Sequence, residues 1–565
     1  MLAAAGGLAL APRFAASFPF RQAATPVPDG GTPTTPGERH EGGTLVVGAL
    51  AEPFTLHPWL ADAAGLDVLD GVVEGLLRYN AAGRLQPVLA DDFAIASDDM
   101  TYAFTLREGV RFHDGTELTS ADVAASWQGQ REAGAFGQGS LAWAKITSID
   151  APDPRTVVVR TSEPYAPFLS TVAVAPVLPA DLLASADAEA LLASAPIGTG
   201  PFRIAGWAPG QAIELVRFDD YWGESANLDG IEIRFAPGAD AILGGLAAGE
   251  VHLSGGALGL PAIDGQAATD IPGVVVTEHP TPNWLHLDLK QVGFLRERAV
   301  RQALDFATPR EGIVADILGG RAIPAFADQM PESWAYHPTL RPRDFDPERA
   351  AGLLADAGLR PGRDGALARG GVPFRLELWG VAGDPQAEAI LTVIASAWSA
   401  LGIAIRLRFA EPEQLWGPLG YQFSDAMTAC LFAWTNGNDP DDLFYWHSSQ
   451  IPTSPTAPGG NLPAFFHPYA FQDEIDALTA RGASTLDLDE RRDAYHQIQE
   501  LLAREVPVIF LAWEKAYPAS RTEVGGFDPS PWTGLLWNAG EWALYEKPEP
   551  GNMATPVAEA SARSN

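Results

Sequence analysis

Cysteine is all but missing from this chain of 565 residues, where Cys430 stands alone. One thiol closes no disulfide, forms no CxxC redox pair and builds no cysteine metal cage within one chain. Its neighbours Ala429 and Leu431 mark it as a core thiol, and with no cysteine before it a lipobox for a lipid anchor is not expected. Positive charge is scarce too. Lysine and arginine number 37 against 71 aspartates and glutamates, a formal charge of −34, which opposes phosphate backbones and anionic membrane surfaces. None of the lysines, Lys145, Lys290, Lys515 and Lys547, is followed by Ser or Thr, so there is no Walker A loop. Gly-x-Ser-x-Gly and His-Glu-x-x-His are missing as well, which removes the commonest hydrolase and zincin signatures. A glycosidase-like carboxylate pair is defined in space rather than in sequence, so a secreted hydrolase stays open.

What is present begins with a short apolar run, 2–11, which Pro12-Arg13 ends too early for a bilayer span. It reads as the apolar part of an export signal within 1–24. The Pro/Gly/Thr-rich text of 25–42 reads as a disordered tether. The chain is longer than one hydrophobic core usually serves, so two or three compact lobes are expected. The folded body starts near Gly43 with a strand over Thr44–Gly48. His57 reads as an exposed loop histidine rather than a metal ligand, and Asp67–Tyr79 carries the apolar stripe of a helix.

The stretch Leu85–Trp127 organises the chain. Thr101–Leu106 and Val110–His113 alternate polar and apolar residues about Glu108-Gly109, the pattern of a hairpin. Thr119 and Asp122 then form a near capping box ahead of a helix. Lys145–Thr161 reads as strand, turn, strand. Ile231–Phe235, Ala239–Ala248 and Val251–Leu253 make a βαβ-like unit, as do Phe374–Trp379, Ala387–Leu401 and Ile403–Phe409. Asp346-Pro347-Glu348 opens a helix that Gly358 closes. Asp425–Trp434 reads as a strand, Glu490–Val508 as an amphipathic helix, and Val508–Trp513 as a strand returning to the first lobe. Residues 547–565 read as a frayed tail.

The wording of these segments is more specific than their pattern. Thr101-Tyr-x-Phe-x-Leu-Arg-x-Gly-Val-x-Phe-His-Asp-Gly115, Thr119-x-x-Asp-Val-x-x-Ser126, Ser162-Glu-Pro-Tyr-x-Pro-Phe-Leu169, Val300-Arg-x-Ala-Leu304 and Arg491-x-x-x-Tyr-x-x-Ile-Gln499 follow one another in order. Together they resemble the signature of the extracytoplasmic solute-binding proteins of family 5, the oligopeptide, dipeptide and nickel receptors of ABC importers, over roughly 43–546. That resemblance implies an α/β fold of two lobes, periplasmic-binding-protein-like and of class II type, with an extra subdomain at approximately 57–165. Lobe I is expected at 43–285, lobe II at 286–513 and a return to lobe I at 514–546, with chain crossovers near 285 and near 514 acting as the hinge. It also implies an exported monomeric binding protein, not an enzyme, that captures a peptide between the lobes and delivers it to ABC permease subunits. No cofactor, metal or nucleic acid is expected, and an oligosaccharide or other polar solute is the alternative ligand.

Site residues follow from the same resemblance. Trp416, Trp434 and Trp513 fall where relatives line the cleft, with Trp284 near the expected crossover. An indole stacks on a ligand while donating one hydrogen bond. Glu52 lies in the first loop bordering the cleft, and Thr199 in the Gly-rich turn Pro196–Phe202 beside it. The most distinctive polar cluster is Asn436-Gly-Asn-Asp-Pro-Asp-Asp442, whose spacing departs from a calcium loop. In peptide receptors an aspartate of this loop captures the α-ammonium. Asn436 stands there instead, and an amide cannot neutralise an ammonium, which leaves Asp439 as the candidate anchor. No arginine occurs in Gly380–Pro385, where some relatives clamp a carboxylate.

Overall fold

Two sheets with separate cores carry the chain in the computed structural model, which describes residues 42–134, 138–363, 365–454, 457 and 459–546. The expected export segment, nearly all of the tether and the tail 547–565 lie outside the described residues. The first lobe is built on a seven-stranded sheet ordered Val274–Val276, Ala519–Arg521, Leu253–Ser254, Thr44–Ala49, Gly230–Phe235, Ala212–Arg217 and Phe202–Ala208. Thr44–Ala49 runs parallel to both of its neighbours, Gly230–Phe235 and Leu253–Ser254, and the helix Ala239–Ala248 makes the crossover between them. A strand covered on both faces needs a nearly continuous apolar run, and Leu-Val-Val-Gly-Ala supplies one.

The second lobe is a six-stranded sheet ordered Ala322–Pro324, Val508–Ala516, His279–Leu289, Ala429–Thr435, Arg375–Val381 and Ala404–Ala410. Helix Pro385–Ala400 connects two parallel strands and buries Ile390, Leu391, Ile394 and Trp398 in the core. Asp384 caps it and Pro385 opens its first turn. Helix Pro347–Asp356 starts the same way, with Asp346 accepting from the Arg349 N–H at 2.8 Å. Cys430 lies fully buried on its strand.

Sheet membership changes between Val276 and His279 and again between Ala516 and Ala519. The expected crossovers near 285 and 514 therefore stand a few residues inside second-lobe strands. Val508–Ala516 does not return to the first lobe but pairs with His279–Leu289. Its apolar text cannot say which of two sheets accepts it.

The extra subdomain is a four-stranded antiparallel sheet ordered Ala90–Ile95, Thr101–Leu106, Thr156–Thr161 and Ile146–Asp153. Thr101–Leu106 thus pairs with Ala90–Ile95 and Thr156–Thr161, not with Val110–His113. The reason lies in the turns. Asp98 Oδ1 accepts the N–H groups of Met100 and Thr101 at 2.9 and 3.0 Å, its Oδ2 accepts the Thr101 hydroxyl at 3.0 Å, and Asp99 takes φ 56°, closing a hairpin one strand earlier than expected. Val110–His113 instead folds back on itself around Asp114-Gly115, with Leu118 N–H donating to the Val110 carbonyl at 2.9 Å. The capping box is present, the Thr119 N–H and hydroxyl both donating to Asp122 Oδ2 at 2.8 Å. In place of the expected helix Asp67–Tyr79, a helix spans Ala63–Leu69 and Leu77–Tyr79 is a strand.

Because Asp98 satisfies three donors of an exposed turn, Asp98→Ala should destabilise the subdomain by about 1 kcal/mol. Urea unfolding should show this as a lower midpoint with an unchanged slope.

Candidate ligand-binding site

His279–Leu289 and Val508–Ala516 are antiparallel neighbours, and both crossings leave from the ends that adjoin His279 and Ala516. Ala429–Thr435 runs antiparallel to His279–Leu289 and parallel to Arg375–Val381. Thr435 and Val381 therefore emerge at that same end, which faces the first lobe. Here the second lobe encloses a cavity of about 600 Å³, within the usual range for small-ligand sites. Trp416, Phe432 and Trp434 form its aromatic wall, with ring centroids 5.0 Å apart for Trp416 and Phe432 and 5.5 Å for Phe432 and Trp434. Asp384, Gln386, Gln422 and Glu514 are its polar lining.

The electrostatics of this lining are one-sided. No lysine, arginine or histidine is among the described residues that line it. Asp384 Oδ1 is committed to the N–H groups of Gln386 and Ala387 at 2.9 and 3.0 Å. Glu514 Oε2 accepts from Asn283 Nδ2 at 3.0 Å, and burial pushes the carboxyl pKa up.

Of the residues singled out in the sequence, only Trp416 and Trp434 line this cavity. Trp284 and Trp513 are each 1 % exposed, side by side on adjacent strands in the core beneath it. Asn436 accepts from Trp284 Nε1 at 2.8 Å and donates to the Asp328 carbonyl, so both ends of its amide brace the loop. Asp439 is no free anchor. It meets Arg491 through both oxygens, at 3.1 and 2.6 Å, and accepts the Ser170 hydroxyl of the first lobe at 3.3 Å. An amine placed there would compete with a guanidinium already matched in charge. Glu52 accepts from Trp207 Nε1 at 2.9 Å and from the Gly210 N–H at 3.0 Å. Thr199 is fully buried and donates to Glu74 at 2.9 Å, a carboxylate that Tyr221 and Trp222 also serve. His57 is buried, not exposed, its Nδ1 accepting from the Trp59 N–H at 3.3 Å. Sequence reasoning missed Asp384, Gln422, Phe432 and Glu514. Only Glu514 left a trace, as a carboxylate ending the apolar run Val-Ile-Phe-Leu-Ala-Trp.

The loop 436–442 joins the lobes instead. Besides Ser170, the Tyr165 hydroxyl of the first lobe donates to Asp441, and Asn438 Nδ2 donates to the Trp532 carbonyl at 2.8 Å. Behind the loop lie the buried, interacting carboxyls of Asp328 and Asp442. Gln329 donates to Asp442 at 2.7 Å and Trp446 to Asp328. Burial pushes both carboxyls up, Asp328 to about 6.

Two α/β lobes, joined by two adjacent chain crossings with a cavity at the hinge end of one sheet, define a hinged solute-binding protein. The pattern of bacterial extracellular solute-binding proteins, family 5 (middle part), matches residues 84–453, and the chain belongs to that family. It is therefore an extracytoplasmic binding component of ABC transport and not an enzyme, which removes the hydrolase alternative. The chain is 26% identical over 528 residues to the oligopeptide-binding protein AppA of Bacillus subtilis, covering 90% of this chain and 93% of the relative. It is 26% identical over 523 residues to the dipeptide-binding protein of Escherichia coli, covering 86% and 92%. The crystal structure of NikA from Brucella suis, in complex with Fe(III)-EDTA, shares the fold at a TM-score of 0.76 and 22% identity, covering 88% of this chain and 99% of that one. No helix among the described residues is long and apolar enough to cross a membrane.

Breaking the nearly buried Asp439–Arg491 pair strands a guanidinium, so Asp439→Ala should cost about 3–5 kcal/mol in urea unfolding. Fluorescence titration of the folded variant should still find saturable solute binding, since Asp439 does not line the cavity. A second outcome concerns pH. A carboxyl held above its unfolded pKa stabilises the fold fully below about 4, and this contribution is lost as pH rises through about 6. Asp442→Asn puts a neutral amide in place of a carboxyl that burial and the charge of Asp328 push toward protonation. Its thermal midpoint relative to the wild type should therefore climb between pH 4 and pH 8.

Proposed function

We propose that this protein captures short peptides at the hinge end of its second lobe and, as a monomer, delivers them to an ABC permease. The observation that carries the reading is the aromatic-walled cavity lying where both crossings leave the sheet. A solute seated there lies against the face turned toward the first lobe, so contacts to both lobes favour the closed arrangement by their combined free energy. Closure excludes water from the polar contacts and strengthens them. Peptide is the preferred class because AppA and the Escherichia coli relative are, by name, oligopeptide- and dipeptide-binding proteins. The runner-up, a saccharide, draws on the same wall, since Trp416 and Trp434 suit sugar rings as well as apolar side chains.

The test uses the full chain, unfolded and refolded to strip bound solute, then followed by tryptophan fluorescence and thermal melts with short peptides, oligosaccharides or Ni²⁺. Peptides should give a saturable shift, worth about 2.7 kcal/mol at a hundred times Kd. A shift with saccharides or Ni²⁺ alone refutes the peptide reading.

A further inference from the structure

Strand Val508–Ala516 is buried as far as Trp513 and then sets a carboxylate, Glu514, in the cavity lining. The neighbouring strand makes room for it. Pro280 pairs with Lys515 and Trp284 with Trp513, so Thr281, Pro282 and Asn283 bulge opposite Glu514. A bulge re-aims side chains, and Pro282 suits one because it has no N–H to give to a ladder. Asn283 uses the bulge: its Nδ2 donates to Glu514 Oε2 at 3.0 Å while its Oδ1 accepts the Thr435 hydroxyl at 2.7 Å. The Thr281 hydroxyl also donates to the Glu514 carbonyl at 3.3 Å. The carboxylate is thus oriented through one oxygen, while Oε1 receives no hydrogen bond from a described residue.

No described residue at the cavity donates to that spare oxygen. Asp384 turns only Oδ1 to its helix but is exposed and stays hydrated, and no cationic side chain is among the described lining residues. A desolvated carboxylate with a spare oxygen is satisfied by a cation. Trp416 and Trp434 line the same cavity, and aromatic rings attract cations as well as apolar bodies. We infer that Glu514 is the cation-binding group of this cavity, selecting solutes that carry a protonated amine or guanidinium beside an apolar or aromatic body. The inference rests on solute capture at this cavity and names the pole of the solute that is read. It moves the amine anchor from the loop 436–442, where Asp439 is already paired, to the strand that leads directly into the Tyr517-Pro518 crossing.

Four probes test it by titration calorimetry on solute-stripped full-length protein and on Glu514→Gln. They are tryptamine, N-acetyltryptamine, and the tripeptide Ala-Trp-Ala with a free or an acetylated N-terminus. Each free amine should bind the wild type at least about tenfold tighter than its acetylated counterpart, the loss expected for one charge-assisted hydrogen bond. Glu514→Gln should abolish that preference while its amide oxygen keeps the bond from Asn283. The acetylated probes decide the matter on the wild type alone if the variant folds poorly. Equal binding of free and acetylated peptides, or an undiminished preference in Glu514→Gln, overturns the anchor and leaves peptide capture standing. Glu514-dependent binding of tryptamine without binding of either peptide supports the anchor and refutes peptide capture. Failure of all four probes to bind the wild type overturns both.

Discussion

Between the lobes the chain runs as two antiparallel segments held in register. Val276 faces Ala519, the Thr277 N–H donates to the Pro518 carbonyl at 3.0 Å, and His279 faces Ala516. The hinge is therefore a two-stranded ribbon, continuous with a sheet at each end. Ribbons of two strands twist more freely than wide sheets, so the lobes can swing about it while each sheet keeps its own ladder. Everything that places the cavity follows from this ribbon. The strands that enter it must be neighbours, they must leave by one sheet end, and that end must face the other lobe.

A chain so acidic has to dispose of its carboxylates before it can offer one to a solute. Most of the buried ones are committed. Asp67 takes the N–H groups of Ala257, Leu258 and Leu535, tying three distant segments of the first lobe. Glu74 accepts from Thr199, Tyr221 and Trp222, and Asp305 meets both Arg310 and Arg343. Asp288 and Lys290 lie close together in the second lobe, where burial raises the first to about 8 and lowers the second to about 8. Against that background Glu514 differs in one respect: its environment orients the carboxylate without using it up.

The loop 436–442 shows how the same residue types change role with their surroundings. Its acids and amides read as a recognition loop, yet every side chain described there faces protein. Asn436 holds Trp284, Asn438 holds the Trp532 carbonyl, Asp439 holds Arg491, and Asp441 receives the Tyr165 hydroxyl. Contacts from Ser170 and Tyr165 make it a polar seam between the lobes. Lobe motion and the state of this seam are thereby coupled.

Local chemistry was legible in the text. The capping box at Thr119, the Asp346 cap, the helix Ala239–Ala248, the strand over Thr44–Gly48 and the buried thiol of Cys430 each depend on a few neighbouring residues, and each stands as the pattern implies. The family was legible too, because its words recur in order along the chain. What the text could not hold is partnership at a distance. Whether Thr101–Leu106 pairs forward or back turned on the Asp98-Asp99 turn, and the sheet that takes Val508–Ala516 turned on which apolar face was open. Trp284, Trp434 and Trp513 stand in register on one face of adjacent strands, and how far the packed side chains of the second lobe cover each one divides wall from core. Asp439 and Glu514 look alike as letters. Only the tertiary structure sets Arg491 against one and an open cavity against the other, and that difference in counter-charge separates a brace from an anchor.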